Sequence, residues 1–403
     1  MAKDKYISVR PSVTGFSFAN LGLFTGFADG IYNAVYSLVI LGIFSTFMSS
    51  EGASAAVGVY VGVYAVFCML IGLFSNELLR WFSKSRLLYI SMFFLALCYA
   101  LMSMSVKPLT FITLDYASGV ASTLVWMLIP LFMADFSKDI GMAKLNARYH
   151  LWMNIGALVA PMFAVTIASH FGDYRTPFLA AAMIYFGGLM FFKHFGVVQE
   201  DKNLKKINPR RTMKSLWLNT LAFFRHKGMA RAYAVNFGFY SIRAMRYLYV
   251  PIIVIERGFS ESTLGIVLTL GIIPYIVIDL FIGKLVKKCG SKFFLTIGFL
   301  SFAALSFMAT FATGYLLLAI FVLWQISGAF MEPVHDLLFF DNTKKTEQSR
   351  FYGIFRTGAN LPNVVAPMLG ALCIAITGNT SAVWFVTTVI CVSATVILWL
   401  GKK

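Results

Sequence analysis

Seven ionisable side chains stand inside long apolar stretches of this 403-residue chain: Asp29, Asp115, Arg243, Arg246, Glu332, His335 and Asp336. A charge near the centre of a bilayer costs ~2.5–3.5 kcal/mol on insertion scales, so such residues are usually kept for a pathway or for a partner. The chemistry open to them is proton exchange and the binding of polar solutes. Desolvation favours a neutral carboxyl group and a nearby guanidinium favours the anion, so a moving partner can make one acid load and release a proton. Asp115 and Asp29 are the leading candidates for proton carriers, with Glu332 third. The plain alternative for each charge is a fixed ion pair between helices. Four acids (Asp29, Asp115, Glu332, Asp336) against three arginines (Arg243, Arg246, Arg356) permit that.

Spacing adds neighbours to these charges. Asn236, Tyr240, Arg243 and Tyr247 follow an i, i+4, i+7, i+11 pattern, which is one face of a helix. Glu332, His335 and Asp336 are likewise expected to share a face, with His335 as a pairing or packing residue rather than a metal ligand. Arg243 lies mid-span with ~12 residues of helix at ~1.5 Å each on either side, too far to snorkel, so it needs an internal partner. Asn154, Asn360, Asn363 and Arg356 could add to a polar interior. Tyr32, Trp126, Tyr240 and Tyr247 suit an amphipathic or moderately polar solute, although aromatic rings also fill ordinary helix interfaces. A sugar, a carboxylate, a peptide and a lipophilic drug all stay open as ligands.

The elements that must carry these residues are membrane helices. With 59% hydrophobic and 13% charged residues and a mean hydropathy of +0.76, the chain has too little polar surface for a soluble domain. Apolar runs near 15–47, 54–79, 85–106, 109–134, 147–170 and 176–196 each reach the ~20 residues that cross a hydrocarbon core. A second six follow near 231–255, 262–286, 292–313, 315–340, 351–377 and 381–400. Residues 1–14 are polar and basic, and the run after them is too long for a signal-peptide core, so it reads as a retained span. The expected architecture is all-α and integral to the membrane: about twelve helices in two six-helix bundles, 1–197 and 231–403, joined by a hydrophilic connector, 198–230, with a short amphipathic helix around Leu216–Phe224.

A net charge of +17 could suggest nucleic acid, but its placement says otherwise. With the N-terminus inside, Arg80/Lys84/Arg86, Lys138/Lys144, the connector, Lys284/Lys287/Lys288/Lys292, Lys344/Lys345/Arg350 and Lys402/Lys403 all fall on the cytoplasmic side. That predicts both termini in the cytoplasm. Cys68, Cys98, Cys373 and Cys391 lie in apolar runs and Cys289 in a basic loop, so neither a disulfide framework nor a metal-ligand spacing is offered. No cofactor is expected.

The halves are related. At an offset of 206, Asp135, Lys138, Asn154 and Ala160-Pro161-Met162 recur as Asp341, Lys344, Asn360 and Ala366-Pro367-Met368. Gly283-Lys284-Leu285-Val286-Lys287-Lys288-Cys289-Gly290-Ser291-Lys292 echoes the loop signature of the major facilitator superfamily, and Gly72-Leu73-Phe74-Ser75-Asn76 begins like its first-half copy, with Asn76 replacing the acid. The chain resembles that family over essentially its whole length. The resemblance implies that this loop latches cytoplasmic helix ends, pairing Arg80, Lys84 or Arg86 with Asp135 and Lys287, Lys288 or Lys292 with Asp341; topogenic charge alone is the other reading. It also implies that spans one, four, seven and ten, which carry the charges named above, line a central cavity.

Gly156-Ala157-Leu158-Val159-Ala160-Pro161 resembles a Gly-x-x-x-Gly-Pro motif of proton-driven exporters, with Ala160 for the second Gly. Where those exporters carry Arg-x-x-Gln-Gly in span four, this chain has Asp115-Tyr116-Ala117-Ser118-Gly119, an acid for a base. The expectation is a proton-coupled secondary transporter of a small organic solute in the cytoplasmic membrane, acting as a monomer, an exporter in preference to an uptake symporter of a sugar or carboxylate. No Gly-x-x-x-x-Gly-Lys-Ser/Thr phosphate loop exists to power a pump. A membrane enzyme would need an interfacial reactive cluster and a sizeable outer loop, and a channel or sensor a pore-lining ring or ligand domain; neither shows in the sequence.

Overall fold

The computed structural model describes residues 19–140, 142–195, 209–279, 281–335, 338–339, 342–343 and 345–400, and among them every regular element is helical. The helices are α1 (Leu21–Ser45), α2 (Ser50–Trp81), α3 (Lys84–Met104), α4 (Pro108–Ile140), α5 (Met142–Phe171), α6 (Pro177–Phe195), α7 (Pro209–Arg225), α8 (Lys227–Glu256), α9 (Glu261–Leu270), α10 (Ile273–Asp279), α11 (Ile282–Cys289), α12 (Ser291–Phe311), α13 (Gly314–Met331), α14 (Lys345–Thr377) and α15 (Val383–Trp399). Eleven stretches of the described residues are long and apolar enough to cross a membrane. α8 is long enough at 30 residues, but Asn236, Arg243 and Arg246 make it too polar to be counted with them. The connector helix is longer than its apolar core suggested, starting at Pro209, a residue suited to the first helical position.

Two expected spans are not continuous. The eighth is divided into α9, α10 and α11: Pro274 has no N–H to donate to the Leu270 carbonyl, and the chain tightens at Gly271 and Ile272, whose N–H groups reach Val267 and Thr269. Gly290, at φ +82°, ends α11 in a conformation only glycine adopts freely and lets α12 start at once. The tenth span was expected to run to 340, but α13 stops at Met331. Pro333 cannot continue the ladder, and Val334 and His335 both donate to Met331 in a turn. Glu332 and His335 lie in the turn that follows α13, and Asp336 lies outside the described residues.

Contacts divide the chain into two compact units, Met1–Tyr36 with Phe67–Lys205, and Ser37–Val66 with Lys206–Lys403. The stretch 37–66 thus packs with the second unit, where an even split of the spans would leave it in the first. Small residues explain why: a β-carbon at Gly58 would fall onto the Tyr249 hydroxyl and the Pro367 carbonyl, and one at Gly62 onto Met368. Ser54 also donates to Glu256 at 2.5 Å.

Packing inside the units follows one plan. In the first, α3 lies against α4 and α6, and α5 against α4 and α6; in the second, α12 lies against α13 and α15, and α14 against α15. α1 meets α5 through Gly22, Gly26 and Gly30, where an added β-carbon would strike Tyr149, Met153 and Ala160, and Gly156 returns the fit against Leu23 and Phe27. α8 meets α14 in the corresponding way, with Gly358 against Tyr233 and Gly370 against Tyr249 and Met245. Pro161 and Pro367 stand inside α5 and α14.

Candidate functional site

In the first unit, Asp29, Tyr32 and Tyr36 lie at i, i+3 and i+7 on α1, one stripe beside the glycine face. Asp115 comes from α4 and is fully buried. Its carboxylate accepts hydrogen bonds at both oxygens, Oδ1 from the Tyr32 hydroxyl and Oδ2 from the Tyr36 hydroxyl, both at 3.0 Å. Asp29 Oδ1 accepts from the Tyr185 hydroxyl of α6. Tyr99 of α3 joins the two acids: its ring stacks on Tyr32 at 5.3 Å and meets Tyr185 edge-on at 5.8 Å. Tyr32 also stacks on Tyr36 at 4.6 Å. Buried polar groups are tolerated when hydrogen-bonded, and four tyrosines give these acids a polar setting.

The second unit holds the basic cluster. Arg243 on α8 has Nη1 3.8 Å from Glu332 Oε1, an ion pair too long to be a hydrogen bond, with both side chains partly exposed. One turn along, Arg246 is 9% exposed; its Nη1 donates to the Tyr275 hydroxyl at 2.7 Å and to Gln325 Oε1. Its guanidinium carbon lies 4.5 Å from the Tyr247 ring centroid. Glycines make the room: a β-carbon at Gly271 would press on Gln325, and one at Gly328 on the Tyr275 hydroxyl. His335 is buried, stacked on Phe239 at 4.3 Å and edge-on to Tyr240 at 5.5 Å, with Nδ1 2.6 Å from the Glu332 carbonyl oxygen.

Other expected site residues are placed differently. Asn236 is buried and donates to the Phe355 carbonyl of α14 at 3.4 Å, a helix tie. Asn154 is half-buried and Asn360 exposed, and neither hydrogen-bonds to either cluster among the described residues. Arg356 is exposed and Trp126 is 37% exposed. For the latch, Lys288 is exposed, the side chains of Arg80, Asp135 and Lys287 are outside those described, and Asp341 lies outside the described residues. Tyr36, Tyr99, Tyr185, Tyr275 and Gln325 did not stand out in the sequence. Tyr36 was within reach of a spacing argument from Asp29, and Gln325 as a polar residue seven before Glu332 in an apolar span; the other three carry no such signal.

Multi-pass apolar helices in two units packed on one plan, with a polar cluster in each, define a multi-pass membrane protein. The sequence profile of the Major Facilitator Superfamily matches residues 18–251 and again 237–403, and the chain belongs to that family. Comparison with curated protein sequences finds no match. Among solved structures, the chain is similar to a D-xylose–proton symporter, with a TM-score of 0.75 and 16% identity over 96% of each chain. It is also similar to the nucleoside transporter NupG, with a TM-score of 0.70 and 15% identity over 96% of this chain and 100% of the other. A peptide transporter, POT, in complex with sulfate, gives a TM-score of 0.70 at 14% identity over 95% of this chain and 92% of that one. At these identities the likeness is one of fold.

Proposed function

We propose that the chain is a proton-coupled secondary transporter of a small organic solute, with Asp115 as the group that takes up and gives back the proton. The observation that carries this is the Asp115 carboxylate, fully buried in a membrane helix and held by two tyrosine hydroxyls from α1. Both hydroxyls donate to the ionised form. A protonated carboxyl gains an O–H donor and becomes a weaker acceptor, so protonation weakens or reorients the tyrosine bonds and is coupled to the α1 side of the site. Asp29, held by Tyr185, and Glu332, facing Arg243, are the second and third candidates. The proton in the name of the xylose symporter supports coupling of this kind.

The direction of movement has two readings, each with a support. The Gly156 to Pro161 stretch resembles proton-driven exporters, and its small residues meet α1 closely. The similar symporter structure favours uptake. We place the protein in the cytoplasmic membrane with both termini inside, on the strength of its basic loops, and read it as a carrier acting as a monomer and not an enzyme. Purified protein in liposomes tests the assignment: Asp115→Asn should lose transport driven by a pH gradient and keep substrate counterflow without one. Equal loss of both, or of neither, would remove Asp115 from the proton path.

A further inference from the structure

We infer that Arg243 and Arg246 form a binding site for the carboxylate of an organic anion, which makes the transported solute an acid and not a neutral sugar or a cation. This rests on the carrier reading above and adds the substrate class. The argument is one of charge. Among the described residues the cluster holds two guanidinium groups and one carboxylate, Glu332, which stands 3.8 Å from Arg243. Among the described residues the partners of Arg246 are neutral: the Tyr275 hydroxyl, the Gln325 amide oxygen and the Tyr247 ring. A buried charge is costly unless an opposite charge meets it, so this site stores a positive charge that a ligand anion would neutralise.

Geometry supports a receptor over a strut. Arg246 is held on one side by Tyr275 and Gln325, which are linked to each other at 3.4 Å and seated against Gly328 and Gly271, so its direction is set before any ligand arrives. Arg243 is the adaptable partner, with a side chain 36% exposed and a counter-ion at long range that a carboxylate could replace. A guanidinium fork matches the two oxygens of a carboxylate, and Tyr240, Tyr247 and Tyr275 supply hydroxyls and ring faces around it. Besides these tyrosines, the titratable groups at the cluster among the described residues are Glu332 and His335, both in the turn after α13. Gln325 and Tyr275 act as positioning residues for Arg246.

The test is binding to the purified full chain in lipid nanodiscs, read as a shift in Tm. Sodium benzoate, lactate and succinate are compared with xylose, choline chloride and sodium phosphate. At least one carboxylate should raise Tm while xylose, choline and phosphate do not. Gln325→Glu, which places an internal carboxylate against Arg246, should raise the Tm of the unliganded protein and abolish the carboxylate shift; Arg243→Gln should abolish the shift with the fold retained. The inference fails if no carboxylate stabilises, if the shift survives Gln325→Glu, or if xylose, choline or phosphate alone stabilises. Liposome transport separates the two layers. A carboxylate that binds at Arg246 but is never moved counts against the carrier reading and leaves the anion site, whereas movement of xylose without any carboxylate effect does the reverse.

Discussion

The two units solve one packing problem and then diverge in chemistry. α1 meets α5, and α8 meets α14, through glycines that bring backbones together, and α3 and α12 each hold two neighbours in matching order. On that shared frame the first unit sets acids among tyrosines, and the second sets arginines among a glutamate, an amide and tyrosines. A repeated fold thus constrains where helices touch and leaves the polar residues free to specialise. In our reading, the first unit handles the proton and the second the solute's charge.

The frame can be broken most severely at its seam. Gly26→Leu would drive a side chain into the Met153 backbone, and overpacking of this kind costs ~1–3 kcal/mol or more where no side chain can yield. Size-exclusion chromatography should show loss of monodisperse protein; a well-folded Gly26→Leu would refute the close α1–α5 seam. The chemistry of the first unit is the next target. Tyr32→Phe and Tyr36→Phe each remove one donor to a buried carboxylate, and bonds to charged groups contribute ~1.5–3 kcal/mol, or ~10–100-fold in an equilibrium. Proton-driven transport should fall within that range in each variant while counterflow changes less. An unaffected double variant would mean that the hydroxyls do not serve Asp115.

In the second unit, Gly328→Ala should push the Tyr275 hydroxyl away from Arg246. Solute affinity should weaken several-fold, on the order of 1 kcal/mol for one displaced hydrogen bond, with the maximal rate less altered. A change in rate alone would instead mark Tyr275 as part of the moving machinery.

The smallest expected effect lies in the loops that close each unit. Arg175 forks onto Asp173, with Nε donating to both carboxylate oxygens at 2.9–3.0 Å, and donates to the Ser105 carbonyl; in the second unit, Arg257 donates to Ser381 at 2.9 Å. Burial alone would push the Asp173 carboxyl up, but the side-chain and backbone hydrogen bonds from Arg175 and its charge outweigh it and hold the carboxyl below its ordinary value. A depressed carboxylate adds stability above its unfolded value, and that stability is lost as pH falls through the folded one. Asp173→Asn should therefore lower Tm slightly at neutral pH, for a stability loss well under ~1 kcal/mol in so exposed a pair, and match the wild type in acid below the usual carboxylate range. A difference that grew on acidification would contradict the pairing.

How far each site could be read in advance differs between the units for physical reasons. Asp115 and Asp29 announced themselves because an acid in an apolar run is rare, and Tyr32 and Tyr36 follow from helical spacing along α1. The Arg246 cradle did not. Tyr275 stands in an apolar stretch that periodicity treats as one helix, and only the break before Pro274 brings it with Gln325 to the guanidinium. The helix that was to carry Glu332 and His335 ends at Met331, because Pro333 has no N–H to continue it, a signal visible in the sequence but outweighed by the length of the apolar run.

Composition and run length alone determined that this is a multi-helix membrane protein, because burying so many apolar residues with so few charges leaves a bilayer as the only adequate solvent. The repeat, the charged spans and the loop signature were equally local, and they led to the family. Tertiary structure decided which partner each charge meets. A helical period specifies the face a residue occupies, but what stands opposite depends on helix rotation, on breaks at Pro274 and Pro333, and on how closely Gly26, Gly58, Gly271 and Gly328 let other elements approach. Those are contacts between residues far apart in the chain, and no spacing along one helix contains them.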